Sequence, residues 1–411
     1  MRNQQQTRKI KNSDSISFLS PGNWVFHPEI VDKVYAGRYD EIMPVCAEIV
    51  TTYNCSNRCG FCGYRDVKVC EGCWERNYFR DTDSHMPSFD YLKKLLDKLI
   101  EGEVKGFIFT GGGEPFMFRG LEEAVGYSTL KGVDCVVYTN GNSCSKQRLE
   151  RLIEANPLLV RLSLNAGTNE VYNKMHDPLN SNGAFQRVLA SIETLALGSL
   201  RNPNMSFGVS VVVNEINQDD LVNAALRVRE IAEKTGGGIN FMSYRPAFDY
   251  YSSKQIGVDV LEKTFEIVER DVKKALEGTG VRVINIESRY EALKSDTRDY
   301  KLCRTTGICA ELIPSGDLCL CCDRNCNRKY IIGNLHNQTL KEIYSSSRRI
   351  ELVRQISDGC KPSCPPACKT HEINRQFQRI EEMRAAGKIQ QIIDEINSKR
   401  HSTPPKMKNF P

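Results

Sequence analysis

Thr51-Thr52-Tyr53-Asn54-Cys55-Ser56-Asn57-Arg58-Cys59-Gly60-Phe61-Cys62 sets three thiols in a C-x3-C-x2-C array directly behind an apolar run. Iron–sulfur clusters are usually held by four thiolates, so a compact set of three suggests a cubane with one iron left for another ligand. The open iron is where chemistry is expected.

Around this stretch the chain has 411 residues, 40% hydrophobic and 26% charged, enough for one large core and an appendage. Its net charge of +5 is not gathered into one block, so a nucleic-acid footprint is not indicated. No hydrophobic run approaches membrane-spanning length. Met1 to Asp14 is polar and basic with no apolar signal core behind it, which points to the cytoplasm. Disulfides are disfavoured there, so 17 cysteines need another explanation. Eight lie at or before Cys144, nine between Cys303 and Cys368, and none over 145–302. That gap reads as two metal-binding regions flanking a cysteine-free scaffold. Reduced, buried thiols acting as small hydrophobes account for Cys46, Cys135 and Cys144.

Residues 1–44 read as a partly disordered N-terminal arm, with Trp24, Phe26, Ile30, Val31 and Val34 available for docking. From Val45, short β-branched runs alternate with segments of helical periodicity. Strands are expected over 45–52, 106–110, 134–139, 159–164, 206–213 and 238–243, with helices at 88–101, 119–130, 146–155, 185–197, 219–235 and 258–278. This α/β series predicts a partial (β/α)6 barrel of TIM type over 45–285, its helices outside. A small cysteine-rich domain over 286–370 follows, then a charged helix and mobile tail over 371–411. Loops after the strand C-termini form the active face of such a barrel. The three-cysteine loop follows the first strand, and the second runs into Gly111-Gly112-Gly113-Glu114-Pro115, whose backbone can approach a ligand closely.

Cys55, Cys59 and Cys62, with Phe61 before the third cysteine and the Gly-Gly-Glu-Pro turn behind, resemble the radical S-adenosylmethionine superfamily over roughly residues 45–250. The resemblance implies that the three thiolates hold a 4Fe-4S cluster whose fourth iron is chelated by the methionine moiety. It implies that Gly112, Gly113 and Glu114 help orient the amino group. It also implies cleavage to a 5′-deoxyadenosyl radical that abstracts hydrogen from an unreactive C–H bond. Ser163 and Asn165 look like the family's ribose-contacting strand and share one side if the strand alternation holds; polar residues capping a strand are the bland alternative. Arg245, near Tyr244 on the same rim, is placed to meet a carboxylate or a substrate, although an arginine paired with a loop acid is commoner. His27, His85, His176 and His336 are read as structural, since no metal-type spacing joins them.

Cys303-x5-Cys309, Gly316-x4-Cys321 and Cys364-x3-Cys368 resemble the SPASM or shorter twitch extension of the same enzymes, which carries auxiliary iron–sulfur clusters. By that resemblance Cys303, Cys309, Cys321 and Cys368 match the ligands of one auxiliary 4Fe-4S cluster. The family's full C-x2-C-x5-C-x3-C run is absent, and Cys319, Cys322, Cys326, Cys360 and Cys364 are unmatched in order. A zinc knuckle over 319–326 is the alternative reading there. Cys70 and Cys73 form a further C-x2-C that fits no family pattern.

Relatives with this layout modify ribosomally made peptides or protein side chains, or oxidise sugar and aminocyclitol alcohols. The expectation is peptide or protein modification, with a small-molecule alcohol as the alternative and an external reductant such as flavodoxin or ferredoxin as partner. A non-catalytic iron–sulfur or zinc scaffold is the reading from another class. An open iron site and a Gly-Gly-Glu-Pro turn argue against it.

Overall fold

The computed structural model describes residues 22–64, 86–247, 257–285, 287–295, 300–322, 328–358, 368–400 and 406–410. Cys70, Cys73, His85, Cys326, Cys360 and Cys364 lie outside them.

Six parallel strands form where the apolar runs are: β1 Cys46–Ile49, β2 Gly106–Phe109, β3 Asp134–Thr139, β4 Leu159–Ser163, β5 Ser206–Val213 and β6 Phe241–Pro246. β6 starts three residues later than the sequence suggests. Gly236, Gly237 and Gly238 all have positive φ, a conformation no strand can run through. Helices cover the outside, each laying an apolar stripe on the sheet. Phe89–Glu101 buries Leu92, Leu95, Leu96 and Leu99, and starts where Ser88 accepts the amide of Tyr91. No helix among the described residues is long and apolar enough to cross a membrane.

The sheet goes beyond six strands. β7, Arg282–Asn285, adds in parallel to β6, and β8, Cys309–Leu312, pairs in parallel with the free edge of β1. β9, Asp317–Cys319, and β10, Ile331–Asn334, continue antiparallel from β8. The order is β10-β9-β8-β1-β2-β3-β4-β5-β6-β7, so the barrel strands and the cysteine-rich region share one hydrogen-bonded sheet. β1 and β8 carry nearly the same tetrad, Cys-Ala-Glu-Ile and Cys-Ala-Glu-Leu, paired residue for residue.

The interior at the N-terminal ends of the strands is an apolar floor of Cys46, Ile108, Val136, Leu159 and Phe241, closed by Met407 and Phe410. The expectation of a mobile tail is therefore corrected for 406–410. Asn23 donates to the carbonyls of Met407 and Phe410 at 3.0 and 2.9 Å, and Asn409 donates to Asp134 at 2.7 Å. The expected single C-terminal helix is two, His371–Ala385 and Ile389–Arg400, broken at Gly387 with φ of 70°. Their Ile373, Phe377, Ile380, Ile392 and Ile396 pack with Trp24, Val25, Ile30, Val31 and Val34 of the N-terminal arm. Sequence reading missed this pairing because the two halves are more than 300 residues apart.

Phe410→Ala should cost about 3–5 kcal/mol in denaturant unfolding, because Phe410 is 2% exposed and lies against Gly106, where no side chain can fill the gap. A loss under about 1 kcal/mol would mean the floor does not depend on the plug.

Candidate active site

The loop after β1 is built from the strand end outward. Thr52 Oγ1 accepts the amide of Asn54 at 3.0 Å, and the carbonyl of Asn54 accepts the amide of Glu114 at 2.8 Å. The cysteine loop thus lies directly on the glycine turn. A Cβ on Gly113 would stand 2.1 Å from the Asn54 carbonyl oxygen. Gly112 has φ of +62° and sits against Val50 and Tyr53, so both positions need glycine, one for contact and one for backbone.

Cys55 Sγ receives the amide of Asn57 at 3.5 Å and the Asn140 side-chain amide at 3.6 Å. Burial, with the Glu114 charge behind it, pushes the Cys55 thiol up to about 12. Left alone it stays protonated, and binding iron is what would release its proton. The far half of the loop is fastened to the segment following helix Asn169–His176. Asn57 bridges Pro178, the Arg58 amide donates to the His176 carbonyl at 2.8 Å, and the Leu179 amide donates to the Ser56 carbonyl at 2.9 Å.

His176 is the residue that sequence reading underrated. Its Nδ1 lies 3.1 Å from Cys59 Sγ and 3.3 Å from Asn57 Nδ2, its Nε2 lies 3.3 Å from Asn165 Nδ2, and its ring meets Phe61 edge-on at 6.0 Å. Burial lowers its pKa to about 4, so the ring is neutral. Expected from the sequence to be structural, it supports the cysteine loop itself. The contact spans 117 positions and rests on a short polar helix capped by Thr168, so no spacing could reveal it.

Two residues expected at the cofactor also make hydrogen bonds within the protein. The carboxylate of Glu114 is buried and engaged: it accepts from Thr139 Oγ1 at 2.6 Å, the Asn140 amide at 2.7 Å and the Phe116 amide at 3.2 Å. It props the end of β3, and through Asn140 it props Cys55. Burial raises its pKa. Asn165 lies beyond the end of β4 with φ of 58°, so the alternation that would pair it with Ser163 has ended. Its Oδ1 accepts the Val212 amide at 2.7 Å and its Nδ2 meets His176. Ser163 remains half-buried at the end of β4, 3.4 Å from Ser210 Oγ. Arg245 is half-buried near the end of β6.

In the second cysteine region, Asn374 donates to Cys303 Sγ at 3.7 Å, and Thr305 donates to Thr370 at 2.7 Å, which brings the Cys303 turn to the segment after Cys368. Tyr300 lies 3.9 Å from Cys368 Sγ. Cys309 opens β8 with its thiol hydrogen-bonded to Cys46. The hydrogen bond and burial push the Cys309 thiol well up. Cys46 is therefore buried as expected, yet it pairs with a thiol of the second group. Lys369, next to Cys368, pairs with Glu48 on β1.

Among the described residues no three His, Cys, Asp or Glu side chains close around a single metal ion. Thiolates serving a multi-iron cluster bind different irons, and both donor sets, thiols at a glycine cradle and thiols around β8, fit that chemistry.

Comparison with known proteins agrees. Residues 49–228 match the model of the radical SAM superfamily, and 288–370 match that of the SPASM iron–sulfur cluster-binding domain; together they cover more than half of the chain. The chain is 23% identical over 332 residues to the mycofactocin maturase MftC of Mycolicibacterium smegmatis, covering 79% of this chain and 74% of that protein. It is 22% identical over 291 residues to an AdoMet-dependent heme synthase of Methanosarcina barkeri, covering 66% and 75%. Its fold is similar to that of Streptococcus suis SuiB solved with precursor peptide SuiA: TM-score 0.58, 12% identity, 84% of this chain and 74% of that one. The chain belongs to the radical SAM superfamily, an enzyme working with a 4Fe-4S cluster and S-adenosylmethionine and carrying a C-terminal SPASM domain for auxiliary iron–sulfur chemistry.

Proposed function

We propose that the enzyme modifies a side chain of a ribosomally made peptide or protein, oxidatively, by hydrogen abstraction inside the barrel. The observation that carries this is the shared sheet. The β8–β1 pairing joins the cysteine-rich region to the strand that leads into Cys55, so a cluster held there would be anchored to the same sheet as the substrate chamber. When bound, the cluster and S-adenosylmethionine supply a 5′-deoxyadenosyl radical.

The chain's own residues do the positioning. Cys55, Cys59 and Cys62 hold the first cluster. The backbone of Gly112 and Gly113 would lie against the cofactor, and Ser163 would offer a hydroxyl from β4. Phe61 and the buried His176 keep water from the inner side of the loop. Cys303, Cys321 and Cys368, with Cys309 next to Cys46, would hold the auxiliary cluster, which when bound would supply an acceptor for one electron. Flavodoxin or ferredoxin delivers the first electron. The peptide reading is supported by the similarity in fold to SuiB, which has been solved with its precursor peptide.

The deciding assay uses anaerobically reconstituted protein with dithionite and S-adenosylmethionine. A short peptide encoded beside the gene should raise 5′-deoxyadenosine well above the uncoupled background. Stimulation by a sugar or aminocyclitol and not by the peptide would transfer the enzyme to the alcohol-oxidising class. Loaded clusters with no deoxyadenosine under any condition would leave only a scaffold.

A further inference from the structure

Inside the barrel, β4 climbs from Leu159 on the apolar floor through Arg161 to Ser163 at its end, and β6 climbs from Phe241 through Ser243 to Arg245. Arg161 pairs in register with Tyr138 on one side and Gly208 on the other; Gly208 supplies no side chain to cover it. Its guanidinium lies over the Tyr138 ring at 3.5 Å from the centroid, which fixes its plane. The Nε–H is shielded from solvent and has no acceptor. The titratable groups around Arg161 are the phenol of Tyr138 and the guanidinium groups of Arg245 and Arg289, and among the described residues no carboxylate is one of them. Two interior carboxylates, Glu48 and Glu311, stand side by side on β1 and β8, where Glu48 is paired with Lys369, and Asp134 lies lower, at the floor, with Asn409. The chamber thus has an acidic wall in which Glu48 is ion-paired and, among the described residues, a basic wall with no carboxylate against Arg161.

Arg161 is half-buried, and a guanidinium whose Nε–H is shielded without an acceptor is costly; a carboxylate is the planar, two-oxygen partner that its fork matches. We propose that Arg161 and Arg245 form a carboxylate-binding wall, and that the substrate is a peptide presenting an acidic side chain or its terminal carboxylate into the barrel. The substrate class rests on the peptide reading above; the carboxylate wall does not. S-adenosylmethionine also carries a carboxylate. However, Arg161 sits in mid-strand below Ser163, whereas the cysteine loop lies past the strand ends. This depth belongs to whatever lies beneath the cofactor.

The test is equilibrium binding of N-acetyl-L-glutamate and N-acetyl-L-glutamine to the full-length reconstituted enzyme with S-adenosylmethionine present. The glutamate probe should bind about tenfold more tightly or better, the usual weight of a charge-assisted hydrogen bond. Arg161→Gln should erase that preference and keep the affinity for S-adenosylmethionine. Arg161→Lys, which retains the charge without the fork, should keep part of the preference. Arg245→Gln, at the half-buried strand end, should lower the preference without emptying the interior, and it serves as the test if Arg161→Gln does not fold.

Equal binding of the two probes by the wild-type enzyme, or an undiminished preference in both glutamine variants, would overturn the proposal. So would a loss of S-adenosylmethionine affinity in Arg161→Gln with the preference intact, because it would assign the arginine to the cofactor. Probe discrimination in an enzyme that accepts no peptide would uphold the carboxylate wall while rejecting the peptide reading.

Discussion

Alanine at Cys55, Cys59 and Cys62 together is expected to abolish S-adenosylmethionine cleavage and leave the fold standing. None of the three thiols is fully buried, and the bonds that reach Cys55 are long amide contacts to sulfur at 3.5 and 3.6 Å. The loop is held instead by its backbone, through Asn54 to Glu114 and through Ser56 and Arg58 to the segment at 176–179. Truncation should therefore cost about 1 kcal/mol or less in stability, while the cluster loses every protein ligand it has at that position. Iron per chain should fall but not vanish, because the thiols from Cys303 to Cys368 are untouched. Deoxyadenosine formed by this variant under dithionite would sink the assignment of these cysteines, and complete loss of iron would mean that the second region depends on the first.

Gly113→Ala should be nearly as damaging with all thiols in place. The new Cβ would stand 2.1 Å from the carbonyl oxygen of Asn54 and 2.7 Å from the carbonyl carbons of Asn54 and Tyr53, atoms of the main chain that cannot rotate aside. The loop must lift, and the residue after Asn54 is Cys55. A displacement of this size at a site that must hold reacting atoms in contact costs about a hundredfold in rate. Iron loading should stay near wild type while turnover drops by about that factor. Gly112→Ala meets side-chain atoms of Val50 and Tyr53 at 2.6 and 2.7 Å in a left-handed backbone, so it adds about 1–2 kcal/mol of local strain. Wild-type turnover in Gly113→Ala would show that the turn does not set the position of the cysteine loop.

What the sequence disclosed followed from chemistry that is local along the chain. The three thiols, the glycine turn and the six barrel strands each announce themselves within a dozen residues. β8 did not, since Cys309–Leu312 is four residues long and its cysteine drew the reading toward metal ligation. Its strand character comes from pairing with β1, a partner more than 250 residues away. Glu114 and Asn165 also carry hydrogen bonds within the protein that the sequence did not announce. A sequence locates a polar side chain on an element, but not which nearby amide will take its hydrogen bonds. Arg161 was passed over for the converse reason: an arginine in a strand is unremarked until its neighbours prove to offer it no acid.

The β8–β1 ladder also governs how this protein can be divided. β1 is an interior strand only because β8 covers it. Cutting the chain after β7 would lay bare a flat parallel edge whose unpaired amides and carbonyls invite strands from other molecules. The catalytic half would then be limited less by lost chemistry than by self-association, and the two halves should melt as one cooperative unit.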